Sequence, residues 1–115
     1  MLYESYGVVA WWGTQVEMMS GLTGLDRTGQ IDHDRFLIGK QIAQEIVRDW
    51  LSVGPTRSIA AVACSLLELH PLRAADALQL AAAMEWCEGQ PRGSVFLTFD
   101  KRLREAAGLA GFTLE

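Results

Sequence analysis

The chain has 115 residues, half of them hydrophobic, which fits one small domain over 1–115 with a real but marginal core. A formal charge of −4 and a pI near 5.1 exclude a protein that grips nucleic acid by bulk positive charge, though not an enzyme with a local basic patch.

In chain order, Gly7-Val8-Val9-Ala10-Trp11-Trp12 is a short apolar, β-branched and aromatic run bounded by Gly13, the pattern of a buried strand. Trp11 and Trp12 are expected to alternate sides on it, one facing the core and one a helix layer. Thr14 with Glu17 three residues on is a capping-box pattern and opens a helix reaching to about Gly24. A second helical stretch spans Asp32 to Val53, with Phe36, Ile42, Ile46, Trp50 and Leu51 at roughly helical spacing, and Gly54-Pro55 ends it. Ser58 to Leu69 is a third helix, apolar on nearly all sides and so expected to be well buried, broken by His70-Pro71. An Ala- and Leu-rich helix follows from about Arg73 to Cys87 and is closed by Gly89. Ser94 to Phe99 is a second strand, Asp100 starts a helix to Ala107, and Phe112-Thr113-Leu114 is a last short strand. Strands separated by helices imply an α/β fold with a mostly parallel sheet.

Cys64 and Cys87 lack a CxxC partner or zinc-type spacing and read as buried free thiols in a reducing compartment. No apolar run approaches the ~18 residues of a membrane span, and the start Met1-Leu2-Tyr3-Glu4 has no signal-peptide pattern; the expectation is a soluble cytoplasmic protein.

Three acids share one kind of position. Glu17 lies in the first turn of a helix after a strand, Asp100 directly follows a strand, and Asp76 lies in the first turn of the helix from Arg73. In an open parallel sheet these positions fall along the edge where ligands bind. Each also has a purely structural explanation: a capping box for Glu17, an N-cap for Asp100, a helix dipole for Asp76. Gathered together, the carboxylates repel, and a hard divalent cation removes that conflict. Such a metal at a sheet edge suits phosphodiester hydrolysis. Arg57, Arg73, Arg92, Lys101, Arg102 and Arg104 lie close to these segments; taken singly, each also reads as an ordinary surface charge, and Arg73 is the one most readily assigned to phosphate contact.

At these residues the chain resembles PIN-domain proteins, and among them the VapC-type toxins. Gly7 to Glu17 resembles their second strand and helix, His70-Pro71-Leu72-Arg73-Ala74-Ala75-Asp76-Ala77-Leu78-Gln79-Leu80-Ala81 their middle acidic motif, and Phe96-Leu97-Thr98-Phe99-Asp100-Lys101-Arg102-Leu103 their late strand and acidic turn. The resemblance implies a three-layer α/β/α fold and a Mg²⁺- or Mn²⁺-dependent endoribonuclease, the toxin of a type II toxin–antitoxin pair. It implies that Glu17, Asp76 and Asp100 are the catalytic and metal-site residues, with Thr14 and Arg73 at the substrate. It also implies an RNA substrate, an antitoxin partner and a homodimer.

One departure is large. The family opens with an apolar strand ending in Asp, then a helix, before the segment matching Gly7, and the six residues preceding Gly7 show no such pattern. Glu4 is the only acid among them and is expected off any strand. The fold is therefore expected to lack its first strand and helix, leaving the sheet centre open, with either a start codon upstream of Met1 or a remnant gene as the cause. The alternative function is a non-catalytic remnant that keeps an antitoxin-binding or dimerising surface.

Overall fold

The sheet begins earlier than the sequence pattern indicates. In the computed structural model, which describes residues 1–4 and 7–115, Leu2–Glu4 forms a first strand, β1. Leu2 is buried and Tyr3 exposed, the two-residue alternation of a strand covered on one face. β1 lies between β2 (Gly7–Trp11) and β4 (Val95–Phe96) and runs antiparallel to both, with Leu2 opposite Val9 on one side and Phe96 on the other. Pairing continues one residue further, where the Leu97 N–H donates to the Met1 carbonyl at 2.8 Å. The expected gap at the sheet centre is thus filled, and Glu4, expected off any strand, ends one. Three residues are too few to carry a periodic signal, which is why the pattern hides this strand.

The sheet order is β3-β2-β1-β4-β5, with β3 at Leu51–Val53 and β5 at Thr113–Leu114. β2 pairs β3 in parallel and β4 pairs β5 in parallel, so only the middle strand opposes the rest. With five helices among the described residues, this is a mixed α/β protein with a mostly parallel open sheet.

The chain forms two compact units, one of Met1–Trp12 with Leu51–Glu115 and one of Gly13–Trp50. The first holds the sheet with α3 (Arg57–Leu69), α4 (Ala74–Trp86) and α5 (Lys101–Ala110). Its core joins Leu2, Val9 and Phe96 of the sheet to Ile59 and Leu66 of α3, Leu80 of α4 and Leu103 of α5. Ala77, Ala81, Ala82 and Ala83 are all buried, so α4 offers small side chains where it packs on β2 and α3.

Several boundaries differ from expectation. α3 buries only one face, through Ile59, Ala63 and Leu66, and Cys64 is exposed rather than buried. Both cysteines are free thiols, and Cys87 is partly buried with its Sγ 3.4 Å from the Ser94 hydroxyl. β4 is short, Val95–Phe96; beyond it Leu97 still pairs with Met1, and Thr98 and Phe99 then lead to Asp100, the N-cap of α5. β2 stops at Trp11, which is buried, while Trp12 is exposed and meets it edge-on at 6.3 Å.

The second unit is a hairpin of α1 (Thr14–Arg27) and α2 (His33–Asp49). α1 outruns its expected end at Gly24; it closes where the Thr28 hydroxyl donates to the Gly24 carbonyl at 2.9 Å and Gly29 takes a positive φ of 72°. α2 ends at Asp49, not at Val53. Trp50 is extended and buried, and residues 51–53 enter the sheet of the first unit as β3, because an apolar run can satisfy a strand as well as a helix. The inner face of α2 carries Phe36, Gly39, Ala43 and Val47, whereas Ile42 and Ile46 are exposed. Gly39 permits the close approach to α1: a Cβ there would sit 3.0 Å from Leu22 Cδ2. Among the described residues no helix is long and apolar enough to cross a membrane.

Candidate functional site

Two helix starts meet at one cleft in the first unit. Arg73 is the N-cap of α4, and its backbone N–H donates to the carboxylate of Asp76 in the first turn. Asp100 is the N-cap of α5: its Oδ1 accepts the Leu103 N–H at 2.9 Å, and its own N–H donates to the Thr98 hydroxyl at 3.1 Å. Asp100 therefore does the capping that the sequence suggested as its structural explanation, and Asp76 sits in the first turn of its helix, where a carboxylate complements the dipole. They also line a common cleft of about 280 Å³, together with Pro71, Arg73, Lys101 and Arg102. Of the six basic residues noted near the motifs, three thus reach this cleft.

The electrostatics link the two acids. Burial pushes the Asp76 carboxyl above its ordinary range, and the charge of Asp100 pushes it further; the Arg73 N–H and guanidinium pull the other way. Two carboxylates that feel each other, flanked by three cations and two helix N-termini, suit a ligand carrying both a cation and an anion. A hydrated divalent metal on a phosphate is such a ligand. Mg²⁺ is commonly held by one or two carboxylates, with water and phosphate oxygens completing its shell, so the Asp76 and Asp100 donor set fits it. Among the described residues, no group of three or more His, Cys, Asp or Glu side chains is arranged to hold a metal ion.

Glu17 and Thr14 belong to the other unit. Glu17 is half-buried in the first turn of α1, as the pattern indicates. Thr14 does not form the expected capping box. Gly13 is the N-cap, because its carbonyl already accepts the N–H groups of Val16 and Glu17 at 3.1 and 3.2 Å. Thr14 is therefore the first helical residue; it is buried, and its hydroxyl finds no hydrogen-bond partner among the described residues.

One residue of interest escapes the sequence reading. Phe99 is expected inside a strand, where alternation would give it a covered or half-covered face. It lies instead in the segment after β4, fully exposed, one residue before Asp100. The signal that bears on it is the N-cap at Asp100, which leaves Phe99 in the connection between the last paired residue, Leu97, and the helix.

No family model, no curated protein and no solved structure matches this chain.

Proposed function

We propose that this chain is a PIN-like protein with a phosphodiester-cleaving site, a Mg²⁺- or Mn²⁺-dependent endoribonuclease of the VapC toxin type. The observation that carries the reading is the convergence of Asp76 and Asp100 on a cleft lined by Arg73, Lys101 and Arg102. The mixed α/β architecture with a mostly parallel sheet is compatible with the three-layer arrangement of that family. Arg73 contributes most to phosphate capture, since a guanidinium matches two phosphate oxygens. Lys101 and Arg102 add positive potential along the RNA backbone and offset the acidic balance of the rest of the chain. Asp76 and Asp100 would hold the cation, which when bound would supply activation of water and stabilisation of the leaving oxygen. Glu17 as a further metal-site acid and Thr14 as a substrate neighbour come from the resemblance, as do the antitoxin partner, the homodimer and the cytoplasmic setting.

A second reading has an observation of its own. Because β1 is reversed, Glu4 pairs with Gly7 at the start of β2, away from the strand C-ends that lead to the acids. The central strand therefore brings no acid to the cleft edge, which favours a remnant that keeps partner-binding surfaces without cleaving. The test is to incubate the purified chain with single-stranded RNA, with and without Mg²⁺ or Mn²⁺. Cleavage that needs the metal, stops with chelator and is lost in Asp76→Asn is the result expected of the nuclease. Cleavage unaffected by chelator or by Asp76→Asn overturns it. RNA binding that requires Arg73, with no cleavage under any metal, selects the remnant.

A further inference from the structure

Two exposed aromatic rings stand at the sheet edge that carries the carboxylate cleft. β1 runs antiparallel to both of its neighbours, so β2 and β4 point the same way and end at one edge, where β3, parallel to β2, also ends. Trp12 directly follows β2 and is 51% exposed. Phe99 comes after β4, one residue before Asp100, and is fully exposed. β2 and β4 are second neighbours in the sheet, so the two segments leave it roughly 10 Å apart. Cations share this edge: Arg73, Lys101 and Arg102 in the cleft, and Arg57 opening α3 a short loop beyond β3. The other exposed aromatics among the described residues are placed elsewhere, Tyr3 on the sheet face opposite Leu2 and Trp86 at the end of α4 away from the cleft.

We infer that Phe99 and Trp12 are base-stacking platforms that make this edge selective for an unpaired strand. Phe99 stacks on the base beside the phosphate held in the cleft, and Trp12 on a base farther along. The inference rests on the reading of the cleft as an RNA phosphate site and adds how a single strand is told from a duplex. A lone exposed ring needs no explanation, because scattered apolar side chains are normal on a surface. Phe99 differs in that its ring contributes no burial to the fold, yet it directly precedes an acid and two cations of the cleft. Cations that follow the phosphates, with rings that take the bases, are how proteins hold unpaired strands; every base has a π-face, so such stacking tolerates any sequence. A duplex keeps its bases inside and offers neither ring a partner. Stacked nucleotides rise about 3.4 Å each, so a strand of only a few reaches from one ring to the other. A protein segment covering the rings would gain from their apolar area alone and leave the neighbouring cations unused.

The test is binding of the full chain to short labelled RNAs by anisotropy, in chelator and again in Ca²⁺, a hard cation able to bridge carboxylates and phosphate. Three probes are used: a single strand, its duplex, and the same strand with abasic sites, which keeps the phosphates and removes the bases. The parent is expected to prefer the intact strand over the other two by about tenfold or more, and Phe99→Ala and Trp12→Ala each to lose about tenfold on the intact strand and little on the abasic one. Arg73→Gln weakens both strands alike, because it acts on phosphate. Binding of the intact strand quenches tryptophan fluorescence in the parent and less in Trp12→Ala. Circular dichroism confirms that the variants fold; Phe99→Leu and Trp12→Leu, which keep apolar bulk without a ring, serve if an alanine variant does not. A parent that binds no RNA, or binds the abasic strand as tightly as the intact one, overturns the inference. Folded variants that both bind as the parent does overturn it too, and assign the rings to a protein partner. Cleavage measured in parallel separates the two readings. Metal-dependent cleavage with affinity indifferent to the rings removes this inference alone, whereas ring-dependent binding without cleavage supports it and removes the nuclease.

Discussion

Replacing Leu2 by Ala tests whether three residues at the front of the chain really hold the centre of the sheet. Leu2 is 1% exposed and belongs to the main core cluster, between Val9 and Phe96. Truncating a fully buried leucine costs about 2–5 kcal/mol, the lost transfer energy plus the cavity it leaves. Against a total stability of roughly 5–15 kcal/mol, that is a large share. For a domain of this size each kcal/mol moves the melting temperature by about 4 °C, so Leu2→Ala is expected to melt some 8–20 °C below the parent. Tyr3, next in the chain and 57% exposed, provides the control: Tyr3→Ala is expected to stay within about 0.5 kcal/mol, the range of ordinary surface changes. Thermal melts followed by circular dichroism at pH 7 read both. If Leu2→Ala melts as the parent does, β1 is not part of the core, and the sheet is open at its centre as the sequence pattern implies.

The remaining predictions concern the cleft. Asp100→Ala removes the cap on Leu103 N–H and is expected to cost about 1 kcal/mol, whereas Asp100→Asn keeps a capping oxygen and melts near the parent; equal losses would refute the cap assignment. Asp76→Asn is expected to raise stability slightly at neutral pH, because the folded state disfavours the ionised carboxylate there. The sign follows from the raised folded pKa: the penalty is full above it and vanishes below the unfolded carboxylate range. The advantage of Asn must therefore close as pH falls through that range, and an advantage that persists or grows in acid would contradict it. Phe99→Ala is expected to weaken binding of single-stranded RNA by about 1–3 kcal/mol, the value of one base stacked on an aromatic ring, while leaving the melting temperature unchanged because the ring is fully exposed. Anisotropy of a labelled oligonucleotide checks this, and unchanged affinity in a chain that binds RNA would remove Phe99 from the site.

The sequence makes the helices legible and the short strands poorly so. The helix from Arg73, the break at His70-Pro71 and the start at Asp100 all follow from caps and breakers, which act over three or four residues. β1, β3 and the true length of β4 do not, because strands of two or three residues are defined by their neighbours in the sheet. The same limit applies within α2. Ile42 and Ile46 have the spacing of a core face, yet Ala43 and Gly39 take that place, since close helix pairing with α1 selects small side chains over large ones. At the cleft, residue types and helix starts mark Asp76 and Asp100; sequence adjacency marks six basic residues nearby, and packing selects Arg73, Lys101 and Arg102 among them. The capping box at Thr14 fails by a single residue, because the helix starts one residue earlier, at Gly13, whose own backbone is already helical (φ −76°, ψ −8°) and which has no side chain to cap with.

The reversed middle strand has a consequence for the order in which the molecule assembles. β3 with β2, and β4 with β5, are two parallel halves whose only bridge is β1. The β1–β2 seam joins residues a few positions apart and is free to zip on the microsecond scale of hairpins. The β1–β4 seam joins Leu2 to Phe96 and must await closure of a loop spanning most of the chain. Late docking at this seam is therefore expected. Phe96→Leu is expected to accelerate unfolding and leave the folding rate nearly unchanged, whereas Val9→Ala is expected to slow folding. A folding rate that falls with Phe96→Leu would place this seam in the nucleus and reverse the order.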